Sequence, residues 1–178
     1  MTIRAIEHIG ITVPDLEQAT RFFADAFGAE KIYDMLDEPL AGPAVESGLG
    51  IPTGARIEAI RMLRLGEGPN LELFTYSGTA QRDPVVPSDY GLQHFCVYVD
   101  DIEEAAARLE KAGGQLLSQA GDLPGGDAGE GNRYLYARTP WGSTVELVTY
   151  PSAQAYESRT SLRRWRPAKD SDNARQEK

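Results

Sequence analysis

One pattern occurs twice in this chain, and an internal repeat constrains a fold more tightly than any single stretch does. HIGITVPDLE at residues 8–17 recurs as HFCVYVDDIE at residues 94–103, and LELFTY at residues 71–76 recurs as VELVTY at residues 145–150. The first pair is offset by 86 residues and the second by 74, so the first copy holds 12 extra residues between its landmarks. The Gly/Pro-rich stretch from Asp37 to Gly54 is the natural place for that insertion. It is expected to be a long loop, as is Gly121 to Gly131, and long loops in compact domains often serve as lids or binding loops.

Each copy begins with the period-two alternation of a strand and runs into a helix start. Asp15 and Asp101 stand as N-caps with Gln18 and Glu104 three residues later, and helices of about 12 residues are expected to stop at Gly28 and Gly113. Three strands follow, so each copy reads βαβββ. The spacing predicts an α+β protein in which residues 1–77 and 78–150 are paired modules of one structural domain. A C-terminal extension over 151–167 is expected to pack on this body, and 168–178 to be a disordered tail.

Strand parity then assigns the faces. Ile9, Ile11 and Val13 share one side of the first strand with the helix positions Leu16, Ala19, Phe22 and Phe23, while His8, Gly10 and Thr12 share the other. The second copy repeats this with Phe95, Val97 and Val99 against His94, Cys96 and Tyr98. A sheet covered by helices on one side and polar on the other predicts a curved eight-stranded sheet, a half-barrel around a metal-binding cavity with the helices outside.

The chain has only two histidines, and the repeat gives them one position; Glu72 and Glu146 are likewise related. Two imidazoles and two carboxylates suit a divalent first-row metal, so His8, Glu72, His94 and Glu146 are the expected ligands of one ion: Ni, Co, Zn, Mn or Fe. An octahedral ion so held keeps about two positions for substrate oxygens. A metal chelating a carbonyl and its neighbouring hydroxyl acidifies the proton on the carbon between them, and Glu146 or Glu72 is placed to take it. Tyr76, Tyr98, Arg138, Tyr150 and Arg64 are candidate substrate contacts.

Composition removes other classes. A net charge of −9 argues against nucleic acid as a partner. Seven of the basic residues and only three acidic ones fall in 159–178, so the body is more acidic still. No apolar run is long enough to span a membrane, and the single cysteine, Cys96, cannot form an internal disulfide, so a cytoplasmic protein with a small-molecule substrate is expected. Cys96 has no further histidine to activate it and reads as packing. GDLPGGDAGEG lacks the lysine and the strand-to-helix setting of a phosphate loop.

These residues resemble the vicinal oxygen chelate superfamily, which spans glyoxalase I, epimerases, extradiol dioxygenases and bleomycin-resistance proteins. The resemblance covers residues 3–150 and implies a homodimer. A His/Glu/His/Glu set is similar to bacterial glyoxalase I, whereas extradiol dioxygenases typically use two His and one Glu. YLYARTPWG at 134–142, ELVTYP at 146–151 and Ala155 to Glu157 resemble sugar- and cyclitol-epimerase-like members. The resemblance implies isomerisation or epimerisation of a small hydroxy-carbonyl metabolite through an enediolate. The alternatives are an Fe(II) ring-cleaving dioxygenase and a non-catalytic metabolite-binding protein.

Overall fold

The computed structural model describes residues 3–167, so the expectation for 168–178 lies outside the described residues. The chain divides into two compact units with the boundary between Asp83 and Pro84. In the first, β1 (His8–Thr12) leads into α1 (Leu16–Phe27), then β2 (Glu30–Asp34), α2 (Pro43–Leu49), β3 (Arg56–Arg64) and β4 (Asn70–Ser77). In the second, β5 (Phe95–Tyr98) leads into α3 (Ile102–Lys111), β6 (Gln115–Leu116), β7 (Gly121–Asp122), β8 (Arg133–Arg138) and β9 (Thr144–Thr149).

Each unit has its own sheet, ordered β1-β4-β3-β2 in the first and β5-β9-β8-β6 in the second, with β7 also on β8. The opening strand pairs parallel with the closing one in both, β1 with β4 and β5 with β9, while the remaining neighbours are antiparallel. β6 and β7 are two pieces of one interrupted strand along β8: the Leu117 amide donates to the Tyr136 carbonyl between them. The nine strands therefore correspond to two four-strand modules, carried on two sheets.

Both helices start and stop where their residues dictate. The Asp15 and Asp101 carboxylates accept from the backbone amides of Gln18 and Glu104 at 2.7 and 2.9 Å, satisfying donors that the first turn leaves free. α1 ends at Gly28, whose φ of 70° is open to glycine and costly for other residues. α3 ends one residue before Gly113, with Ala112 as its cap. Ala19, Phe22, Phe23 and Ala26 recur at helical spacing and are buried, as are Ile102, Ala105, Ala106 and Leu109 in α3. They cover the sheet faces bearing Leu63, Leu71 and Leu73 in the first unit and Leu135, Val145 and Leu147 in the second.

The first core also contains a charge. Arg61 of β3 points to the helix side, is 5% exposed, and bonds to Asp34 at 2.6 Å, Glu17 at 2.8 Å and Thr20 at 3.0 Å. The guanidinium holds Asp34 well below the usual carboxylate range, at about 2.

The segment from Asp37 to Gly54 is not the loop expected from its glycines and prolines. Pro43 at the first helical turn and Gly50 in a left-handed cap frame the short helix α2, and Leu40 bridges to Ile57. Beyond α2, Gly54 meets the end of β4 so closely that a Cβ on Gly78 would sit 2.1 Å from the Gly54 carbonyl oxygen. Gly121 to Gly131 likewise contains β7 and a 3-10 turn over Gly125–Asp127.

Candidate metal and active site

The face turned away from the helix carries the chemistry in each unit. On the first sheet, Gly10 of β1, Glu72 of β4 and Met62 of β3 lie side by side in register. On the second, Cys96 of β5, Glu146 of β9 and Tyr136 of β8 do the same. One pleat along, His8 Nε2 stands 3.2 Å from Glu72 Oε2, and His94 Nε2 stands 3.1 Å from Glu146 Oε2. The structure thus brings the four residues singled out in the sequence together two by two, one His–Glu pair per unit. Among the described residues no group of three or more His, Cys, Asp or Glu side chains stands close enough to hold a metal together.

The residue before each histidine sets its tautomer. His8 Nδ1 lies 2.5 Å from Glu7 Oε2 and His94 Nδ1 lies 3.2 Å from Gln93 Oε1. Both partners offer acceptor oxygens, so each Nδ1 is placed to donate to the residue before it. Glu7 is held in turn by the Asn70 amide at 2.8 Å. The hydrogen bond from His8, and then that from Asn70, lower the Glu7 carboxyl, while Glu7 raises His8. In each pair Nε2 faces a carboxylate oxygen, and either a shared proton or a metal ion between the two makes that contact attractive. Two donors each about 2.1 Å from a first-row ion and about 90° apart are themselves about 3.0 Å apart, close to both observed separations. The donor set fits a divalent metal.

The two glutamates differ in company. Glu72 is flanked by Gly10 and Met62, neither of which has a proton to give. Glu146 is flanked across the ladder by the Tyr136 phenol and the Cys96 thiol. Burial, with the Glu146 charge beside them, pushes each of these groups up to about 12. Cys96 is exposed rather than packed as expected, and a thiol held that high is a poor nucleophile. Tyr136 also sets its ring edge-on to His94, 5.4 Å between centroids.

Parity places the other candidates on these same faces. Tyr76 stacks on Phe74 at 5.9 Å and Tyr98 stacks on Tyr150 at 5.7 Å, and burial raises Tyr76 and Tyr150 above the usual tyrosine value. Arg138 follows Tyr136 on β8 and buries its Nε without a hydrogen-bond partner among the described residues. Arg64 lies on the exposed edge and pairs with Glu30 across β2 and β3. Sequence reasoning missed Tyr136, Glu7 and Gln93. The repeat itself points to them: the offset of 74 that relates Glu72 to Glu146 also relates Met62 to Tyr136, and the offset of 86 relates Glu7 to Gln93.

With this geometry established, comparison with known proteins places the chain in a family. Residues 7–136 match the model of the Glyoxalase/Bleomycin resistance protein/Dioxygenase superfamily. The chain belongs to that superfamily. Among superfamily relatives, it is 36% identical over 165 residues to a 2-epi-5-epi-valiolone epimerase of Actinomyces sp, spanning 92% of this chain and 88% of that protein. It is 32% identical over 145 residues to an ethylmalonyl-CoA/methylmalonyl-CoA epimerase of Cereibacter sphaeroides, spanning 82% and 97%. A glyoxalase family protein of Bacillus cereus shares the fold, with a TM-score of 0.65 at 20% identity over 84% of this chain and 95% of that one.

Proposed function

We propose that this superfamily member is a metal-dependent epimerase of a small hydroxy-carbonyl metabolite. The observation that carries the reading is the recurrence of one His–Glu pair, with matching Nε2–Oε2 separations of 3.2 and 3.1 Å, in two units that differ in the residues around it. Two relatives named as epimerases, above 30% identity over most of the chain, support it.

In this reading His8, Glu72, His94 and Glu146 hold one divalent ion, which when bound supplies Lewis acidity to a substrate carbonyl and its neighbouring hydroxyl. The chain's own residues handle the proton. Epimerisation needs a group to take a proton from carbon on one face and a group to return one on the other, and the repeat supplies two carboxylates in equivalent settings. One of Glu72 and Glu146, loosened from the ion, would take the proton and leave an enediolate, and the other, likewise loosened and carrying a proton taken up from solvent, would deliver that proton to the opposite face. Tyr136 and Cys96, on either side of Glu146, orient it, while Glu7 and Gln93 accept from each Nδ1 and so direct Nε2 toward the ion. Tyr98, Tyr76, Tyr150, Arg138 and Arg64 are proposed substrate contacts.

The test is isotopic. Metal-loaded protein incubated with hydroxy-ketones in deuterium oxide is expected to place deuterium at the carbon beside the carbonyl and to invert it, with product stereochemistry followed in parallel. Tight binding of these compounds without exchange or inversion, under any of the five metals, overturns the reading.

A further inference from the structure

The mechanism leaves unused the residues that follow β9, and these are tied to the site face by an unusual number of arginine contacts. Tyr150, in line with Glu146 and Val148, is buried, and the guanidinium carbons of Arg164 and Arg166 lie 5.3 and 5.1 Å from its ring centroid. Tyr98 stacks on the same ring at 5.7 Å. The segment is anchored on both sides. Arg164 Nη1 donates to Asp127 at 2.9 Å, its backbone amide donates to the Tyr156 hydroxyl at 2.9 Å, and Arg166 donates to the buried Gln154 at 2.6 Å. Glu157 meets both Arg163 and Arg166 at 3.3 Å.

These arginines do not make an anion site, because each already faces a carboxylate of the chain: Arg164 faces Asp127, and Arg163 and Arg166 share Glu157. Their charge is matched and their planes are used as covers. What the segment leaves beside Glu146 is a row of phenols, Tyr136, Tyr134 and Tyr98, where the equivalent positions of the first unit are Met62, Ile60 and Thr12. The segment covers Tyr150 at one end of the face, and next to it Tyr98 and Tyr134 are only partly buried.

Resting on the epimerase reading, we propose that the Ala155–Arg166 segment is the specificity element of the site. Clamped on Tyr150 by Arg164 and Arg166, it selects compact, uncharged, hydroxyl-rich carbonyl compounds and turns away long anionic thioesters. Phenol hydroxyls exchange hydrogen bonds with a polyol without a charge to neutralise, while a thioester carrying phosphates brings charge that Arg163, Arg164 and Arg166, already matched by carboxylates of the chain, do not meet.

Trp165, between the two arginines and 67% exposed, is a built-in reporter of the segment. The experiment titrates the full-length, metal-loaded protein with the cyclitol ketone 2-inosose and, separately, with methylmalonyl-CoA, following tryptophan fluorescence and heat; Trp165→Phe identifies the signal. Inosose is expected to bind at least tenfold more tightly than the thioester and to change Trp165 emission. Arg164→Ala with Arg166→Ala is expected to weaken inosose at least tenfold while leaving metal content unchanged. Tyr98→Phe, which removes one hydroxyl and keeps the stack, covers the case in which the double variant misfolds, and is expected to weaken inosose about fivefold. Thioester binding as tight as inosose, no inosose binding, or unchanged affinity in both the double variant and Tyr98→Phe overturns the proposal. Binding is read without turnover, so inosose that binds but neither exchanges nor inverts sinks the epimerase reading and leaves this inference standing.

Discussion

Tyr136 lies directly across β8 and β9 from Glu146 and sets a phenol beside that carboxylate, whereas the partner of Glu72 across β3 and β4 is the thioether of Met62. A phenol across the ladder gives one carboxylate a polar neighbour capable of directing it, which the other lacks. The two glutamates are therefore inequivalent although the repeat makes them counterparts.

Tyr136→Phe is expected to lower kcat for epimerisation by about 10- to 100-fold with little change in metal content, since it releases Glu146 and leaves every proposed ligand in place. Met62→Leu, a volume-conserving change beside Glu72, is expected to alter kcat less than threefold. Steady-state kinetics with metal analysis on both variants checks the contrast, and equal losses would remove the distinction.

His8→Ala or His94→Ala is expected to reduce bound metal to a small fraction of the wild-type value while leaving circular dichroism unchanged, because neither side chain belongs to the core. Elemental analysis after dialysis decides it. Glu7→Ala is expected to weaken metal binding about 10-fold by freeing the tautomer of His8, and Gln93→Ala to act likewise through His94.

Much of this was legible before any coordinates, for one reason: repeats expose equivalent positions. The caps at Asp15 and Asp101, the inward faces of both helices and the His–Glu pairing all follow from alternation and offset, which are local or symmetric signals. The short helix α2 did not. Gly42, Gly48 and Gly50 read as a loop, and only Pro43 at the first turn and the left-handed Gly50 cap, both matters of backbone conformation, show otherwise. Tyr136 was hidden differently, in a strand whose tyrosines look like ordinary cross-strand packing until register sets one of them against Glu146. The pairing of Arg61 with Asp34 and Glu17 required the tertiary fold.

That pairing sets an acid response. The Asp34 carboxyl, held at about 2 in the folded chain, ionises near 3.9 when unfolded. Its contribution to stability is thus fully present above about pH 4 and is lost as pH falls toward 2. Asp34→Asn is expected to flatten the decline of urea-denaturation midpoints over that window, relative to wild type. Arg61→Ala, which strips the buried partner from two carboxylates, is expected to cost about 1–3 kcal/mol at neutral pH.

Two packing variants calibrate the fold. Leu147, fully buried under α3, is expected to cost about 2–5 kcal/mol on replacement by Ala. Gly78→Ala combines a φ of 68° with a Cβ 2.1 Å from the Gly54 carbonyl, so it is expected to destabilise by more than about 1 kcal/mol. Chemical denaturation measures both, and a neutral Gly78→Ala would show that the turn yields.

The contact between Gly54 and Gly78 also bears on how such a chain tolerates change. The first unit's added residues are soldered to the end of its last strand by two carbonyl-bearing glycines with no room for a side chain, so their length and course are tied to the strand's end. The second unit's added residues are held in a similar way at their start, where a Cβ on Gly129 would sit 2.5 Å from the Ala153 carbonyl oxygen, but further on they are held by arginines lying on an aromatic ring. Side chains can be exchanged over the Tyr150 ring without altering the backbone ties beneath them, whereas the inserted helix cannot change its course without disturbing the end of β4.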